Sequence, residues 1–154
     1  MAKVKLGDIV EFKTAKGLAY AQYVNRNRQL GSLLRVFERC WEQRPTSFDD
    51  VADGKVQFLC FFPLQAAASR KVVSIVGHAP VPDDLATMPT FRSGTVDPAT
   101  GKVSVWWLWD GEREWRVDEL NEEQRALPIG GIWNDTLIKE RIESGWTAAT
   151  DPTT

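Results

Sequence analysis

VKLGDIVEFKTAKGLAYAQYV, residues 4–24, is the stretch from which the architecture follows. Val4, Leu6, Ile9, Val10 and Phe12 alternate roughly in the manner of a half-buried strand, and Gly7-Asp8 marks a bend or bulge within it. Thr14-Ala15-Lys16-Gly17 supplies turn chemistry, and Leu18 to Val24 (LAYAQYV) reads as the returning strand. After the polar run Asn25 to Gln29, Ser32 to Cys40 (SLLRVFERC) alternates well enough for a third strand. A meander of three strands cannot stand alone in water and needs a second layer on its apolar face.

The chain supplies that layer further on. Trp41 to Lys55 is loop-like, with Pro45, Asp49, Asp50 and Gly54. Val56 to Leu64 (VQFLCFFPL) is the most apolar run and predicts a buried strand stopped by Pro63. Leu64 to Arg70 has room for one helical turn. Val72 to Gly77 is rich in β-branched residues and predicts an interior strand. Ala79 to Pro89 carries three prolines and Asp83-Asp84, which makes it an irregular, exposed connector. A second β unit then runs from Phe91 to Val96, through the turn Asp97 to Gly101, and along Val103 to Trp109. Asp110-Gly111 is a hairpin signal that returns Glu114 to Val117 against it.

The period changes in the last third. Asp118 predicts the cap of a short helix through Glu119 to Ala126, ended by Pro128 and Gly130-Gly131. Asn134 is a good N-cap, and Trp133 with Ile138 has the spacing of a hydrophobic staple. Leu137, Ile138, Arg141 and Ile142 form one face, Asp135 and Lys139 pair at i,i+4, and Gly145 stops the helix. There is no internal repeat and no long linker. The expected fold is a single α+β domain over residues 1–146: a mainly antiparallel, bent sheet, barrel-like in tendency at its N-terminus, with one substantial C-terminal helix. Residues 147–154 (TAATDPTT ends the chain) are expected to form a flexible tail.

Bulk properties narrow the function. With 154 residues, 43% of them hydrophobic and 26% charged, the chain can build one core. A net charge of −2 gives no footprint for nucleic acid or for an anionic membrane. The opening MAKVKLGDIVEF lacks the apolar run of a signal peptide, and no stretch approaches the roughly 20 apolar residues that span a bilayer. Cys40 and Cys60, each in an apolar setting, read as reduced thiols. The expected location is cytoplasmic.

No catalytic constellation emerges. His78 is the sole histidine, and as a general base it would need a nucleophile that no local motif supplies. Cys40, Cys60 and His78 have no zinc-ligand spacing, and Asp49-Asp50 and Asp83-Asp84 lack the spacing of a calcium loop. No glycine-rich loop cradles a phosphate. Catalytic, cofactor-binding and metal-ligating residues are therefore expected to be none, and a non-enzymatic role follows.

The tryptophans carry the remaining signal. Trp106, Trp107, Trp109 and Trp115 are four of the seven in the chain. In a strand, Trp107 and Trp109 share one face and Trp106 shares the other with Leu108. A two-residue Asp110-Gly111 turn would set Trp106 opposite Trp115. Such a strand is either covered on both faces, the C-terminal helix being one candidate cover, or offers one face as an aromatic ledge. Asp110, Glu112, Glu114, Asp118, Glu119, Glu122 and Glu123 surround it, against only Arg113 and Arg116. An acidic rim suits a basic partner and opposes a phosphate chain. The expected partner-binding residues are Trp106, Trp109, Asp110, Glu112, Glu114 and Trp115.

Residues 4–24, with Gly7-Asp8 and an aromatic-rich second strand, resemble the immunity protein 26 family of bacterial polymorphic toxin systems. LPIGGIWNDTLIKERIESGW, residues 127–146, is similar to that family's C-terminal region. The resemblance implies a small cytoplasmic α+β protein that binds and neutralises a cognate protein toxin and has no active site. A basic nuclease toxin would suit the acidic hairpin through electrostatic steering. The alternative is a β module that stacks a carbohydrate or a base on its exposed tryptophans.

Overall fold

The structure is a computed structural model that describes residues 2–154. Its N-terminal half is one antiparallel sheet. The chain runs through β1 (Asp8–Thr14), β2 (Gly17–Asn27), β3 (Gly31–Trp41), the short helix α1 (Asp49–Ala52), β4 (Val56–Phe62), α2 (Leu64–Ser69) and β5 (Ser74–His78). The spatial order is β4-β3-β2-β1-β5, so the expected meander forms and its last strand returns beside its first. Register shifts at Ile9/Val10, Ala19/Ala21, Tyr23/Asn25 and Val36/Phe37 are irregularities that bend it strongly. The sheet stays open between β4 and β5.

One expectation is corrected here. The β-branched run at Val72 to Gly77 forms an edge strand, β5, rather than an interior one. Its Ile75 packs into the cluster on one face of the sheet and its Val76 into the cluster on the other. Two half-buried faces select β-branched residues as effectively as a neighbour on each side does.

Alternation along β1 to β4 divides the core in two. Val10, Phe12, Ala19, Ala21, Leu34, Val36, Cys60 and Phe62 point to one face, where α2 and the C-terminal helix α4 (Asp135–Ser144) cover them. Ile9, Tyr20 and Phe37 point to the other and meet Val51 of α1, while Leu33 and Phe61 beside them meet Phe91. The ends of α4 are those its sequence predicts. Asn134 accepts the Leu137 N–H at 2.8 Å, and Gly145 closes the helix at φ +70°, a conformation a Cβ would strain. Lys139 reaches Asp135 at 3.5 Å, and Ile138 and Ile142 are buried. No helix among the described residues is long and apolar enough to cross a membrane.

The second unit is a three-stranded sheet, β10-β9-β6, formed by β6 (Phe91–Ser93), β9 (Trp106–Trp109) and β10 (Glu114–Val117). A small hairpin, β7 (Val96–Asp97) with β8 (Lys102–Val103), lies between β6 and β9. The segment 128–133 joins the two sheets. Arg92 donates its N–H to Pro128 at 2.9 Å, Gly130 donates to Arg92 at 2.8 Å, and Trp133 donates to Phe61 at 2.9 Å. This strap occupies the outer edges of both β6 and β4.

Two further corrections fall in the C-terminal third. The short helix α3 (Glu122–Arg125) starts at Asn121, not Asp118. Asn121 and Gln124 form a reciprocal capping box, whereas the Asp118 carboxylate is taken by Arg116 at 2.9 Å. Residues 147–154 are not a loose tail. Ala148 and Asp151 are buried, Thr153 accepts the Val103 N–H at 2.9 Å, and Trp146 donates to Asp151 at 2.8 Å. Small polar residues carry no amphipathic signal of their own; a buried arginine distant in sequence holds them.

A buried carboxylate anchors the first sheet. Glu11 accepts both Nε and Nη2 of Arg44 at 2.8 Å and the Tyr20 hydroxyl at 2.8 Å. The Arg44 pairing holds its pKa below the usual carboxylate value against an opposing burial effect. A lowered folded pKa stabilises above the unfolded value of about 4.3, and the contribution is lost as pH falls through the folded value. Glu11→Gln should therefore cost about 1–3 kcal/mol at pH 7. The gap to wild type should narrow under acid. Urea midpoints at both pH values measure this, and a gap that widens under acid would reverse the sign.

Candidate functional site

The β9–β10 hairpin pairs Trp109 with Glu114, Leu108 with Trp115, Trp107 with Arg116 and Trp106 with Val117. Its turn lies one residue later than expected, with Gly111 and Glu112 at the centre. Asp110 donates its N–H to Arg113 at 3.2 Å, while its Oδ1 accepts the N–H groups of Glu112 at 3.0 Å and Arg113 at 2.8 Å. These amides, Arg113's foremost, lower the Asp110 pKa and tie down the turn. Gly111 takes the φ of +100° that the geometry needs. Trp115 consequently faces Leu108 rather than Trp106.

The tryptophans divide into core and surface differently from the expectation. Trp106 is only 4% exposed, packed with Leu108, Leu120 and Val103 under the Arg92 guanidinium, which sits 4.5 Å from its ring. It cannot touch a partner. Trp109 is half-buried, its ring 5.8 Å from Phe91 and 6.2 Å from Phe61, and it joins the two sheets. Trp115 is 40% exposed, and Glu112 and Glu114 beside it are exposed as well. Trp107, at 41%, is an exposed residue that alternation alone did not single out. The C-terminal helix covers neither face of this hairpin, because α4 lies on the first sheet.

Two surfaces result. On one, Trp107 lines a cleft of about 400 Å³ with Ser93, Gly94, Thr95 and Ser104. On the other, β10 ends its sheet, with no strand among the described residues on its outer side. Because Asp110 and Arg113 are hydrogen-bonded, alternation makes 108/115 and 106/117 the next bonded pairs. The N–H and C=O groups of Glu114 and Arg116 therefore point outward.

His78 contacts Asp8, Nδ1 to Oδ1, at 3.2 Å, and Asp8 Oδ2 accepts the Lys5 N–H at 2.9 Å. Among the described residues no hydroxyl or thiol is hydrogen-bonded to the imidazole. No group of three or more His, Cys, Asp or Glu residues among them is placed to hold a metal ion. The cysteines are unpaired, and burial raises the pKa of the Cys60 thiol well above its ordinary value. Comparison with protein-family models, with curated proteins and with solved structures finds no match.

Proposed function

We propose that the protein is a non-enzymatic binding module that docks another protein on the β9–β10 hairpin. The partner we infer is a basic bacterial toxin, with this chain its cytoplasmic immunity protein. The observation that carries the reading is Trp115, exposed on the edge strand β10, with the exposed Glu112 and Glu114 at the adjoining hairpin tip that Asp110 ties down. An exposed aromatic anchor beside an acidic hairpin tip suits a cationic protein surface, with the charges of the tip governing the rate of encounter. The resemblance of residues 4–24 and 127–146 to the immunity protein 26 family supplies the toxin class.

The test is co-expression with the toxin encoded beside the gene, together with a direct affinity measurement. Trp115→Ala should weaken binding by about 2 kcal/mol, roughly 30-fold, and reduce protection. Glu112→Lys with Glu114→Lys should slow association chiefly at low salt. Trp107→Ala should leave the affinity unchanged. Absence of protection by wild type would overturn the toxin assignment. The small-ligand alternative draws support from the hydroxyl-lined cleft at Trp107. It would show as fluorescence quenching by a sugar that Trp107→Ala abolishes and Trp115→Ala does not.

A further inference from the structure

Two arginines are buried in this chain, and they are treated differently. Arg92 is fully buried and every guanidinium nitrogen has a partner: Nε the Leu127 carbonyl, Nη1 the Thr154 hydroxyl, and Nη2 the Arg125 and Ala148 carbonyls. Arg35 on β3 is 7% exposed, yet it makes only two hydrogen bonds. Its Nε donates to Gln22 Oε1 at 2.8 Å and its Nη2 to the Ala52 carbonyl at 3.0 Å, with the Phe37 ring 4.8 Å below. Gln22 is itself fixed, because its Nε2 donates to the Ala79 carbonyl at 2.7 Å. No carboxylate among the described residues comes within 4.0 Å of the guanidinium.

The remaining nitrogen, Nη1, has no hydrogen-bond partner among the described residues, and Arg35 lines a cleft. That cleft holds about 750 Å³ and is bounded by Asp49, Asp53, Asp83 and the segment 79–82. Burial lowers the Arg35 pKa against the opposing charges of Asp84 and Asp53. A largely buried guanidinium with one nitrogen free of protein partners is a seat for an anion, whose charge-assisted hydrogen bond is stronger than a neutral one. A ligand of purely negative charge would, however, face the aspartates of the rim.

We propose that this cleft binds a small zwitterion, with its carboxylate on Arg35 Nη1 and its ammonium towards Asp49, Asp53 and Asp83. Gln22 and Ala52 orient the guanidinium and leave Nη1 as the donor for a carboxylate. A free amino acid and the two ends of a short peptide share this chemistry. The site is independent of the hairpin, since it lies on the first sheet.

The test uses the full chain and a panel of the free amino acids plus glycylglycine, up to about 10 mM, followed by NMR of the Arg35 Nε–H and the Asp53 amide. At least one probe should shift both signals. Its methyl ester and its N-acetyl derivative should each bind roughly tenfold or more weakly. Asp53→Asn with Asp83→Asn should weaken the free probe without weakening its N-acetyl form, a readout that does not depend on Arg35→Gln folding. A response to amino acids alone or to the dipeptide alone identifies the source. No shift with any probe, or equal binding of ester and acid, would overturn the proposal.

Discussion

Replacing Arg92 with alanine should destabilise the protein by about 3–5 kcal/mol, a large fraction of the 5–15 kcal/mol typical of a domain. The side chain is fully buried at the meeting point of four segments that share no local sequence signal. Its donors reach Leu127 at 3.3 Å, Arg125 at 3.0 Å, Ala148 at 2.6 Å and Thr154 at 3.1 Å, and its plane covers Trp106. Removing it leaves the buried Ala148 carbonyl and the part-buried Leu127 and Arg125 carbonyls without this donor, with a cavity beside an indole, and each effect adds to the cost. Arg92→Lys should recover little, because one ammonium cannot span acceptors spread around a planar fork. Urea denaturation at neutral pH measures the loss.

Deleting residues 147–154 examines the same node from its other side. These residues supply the Ala148 and Thr154 acceptors, and Asp151 takes the Trp146 indole N–H. The deletion should destabilise strongly, and combining it with Arg92→Ala should cost less than the sum of the two, since both remove the Ala148 and Thr154 contacts. An unchanged urea midpoint on deletion would restore the flexible tail that the sequence suggested.

What the sequence made legible was local. The β1–β3 meander follows from alternation around Thr14 to Gly17, and α4 from Asn134, Ile138 and Gly145, all within one element's reach. The α+β class follows from these two signals. What stayed hidden depends on contacts distant in sequence. Arg92 looks like a surface charge until Ala148, 56 positions on, is folded over it. The same arginine buries Trp106, so alternation separated the faces correctly while leaving the exposed one undetermined. Arg35 and Gln22 lie on neighbouring strands, but their pairing requires the register of β2 against β3. The exposure of Glu112, Glu114 and Trp115 was legible because a hairpin tip is exposed however the sheet packs.

Trp133→Ala should be the other severe substitution, costing about 3–5 kcal/mol. Trp133 is 4% exposed and serves two purposes at once. Its N–H ties the strap to Phe61 at 2.9 Å, and its indole sits 5.2 Å from Phe58 and 5.4 Å from Trp146, staking the start of α4 to the sheet. The Arg141 guanidinium lies between the two indoles, 4.3 Å from Trp133 and 4.1 Å from Trp146. The backbone bond survives the substitution, so the loss measures the ring alone. Trp133→Phe should cost distinctly less, because a smaller ring keeps the contact with Phe58. If the stacked cation contributes, Arg141→Ala and Trp133→Ala should couple by about 0.5–3 kcal/mol in a double-mutant cycle. Strict additivity would show that Arg141 only fills space there, and that α4 is held by aromatic packing without help from its charge.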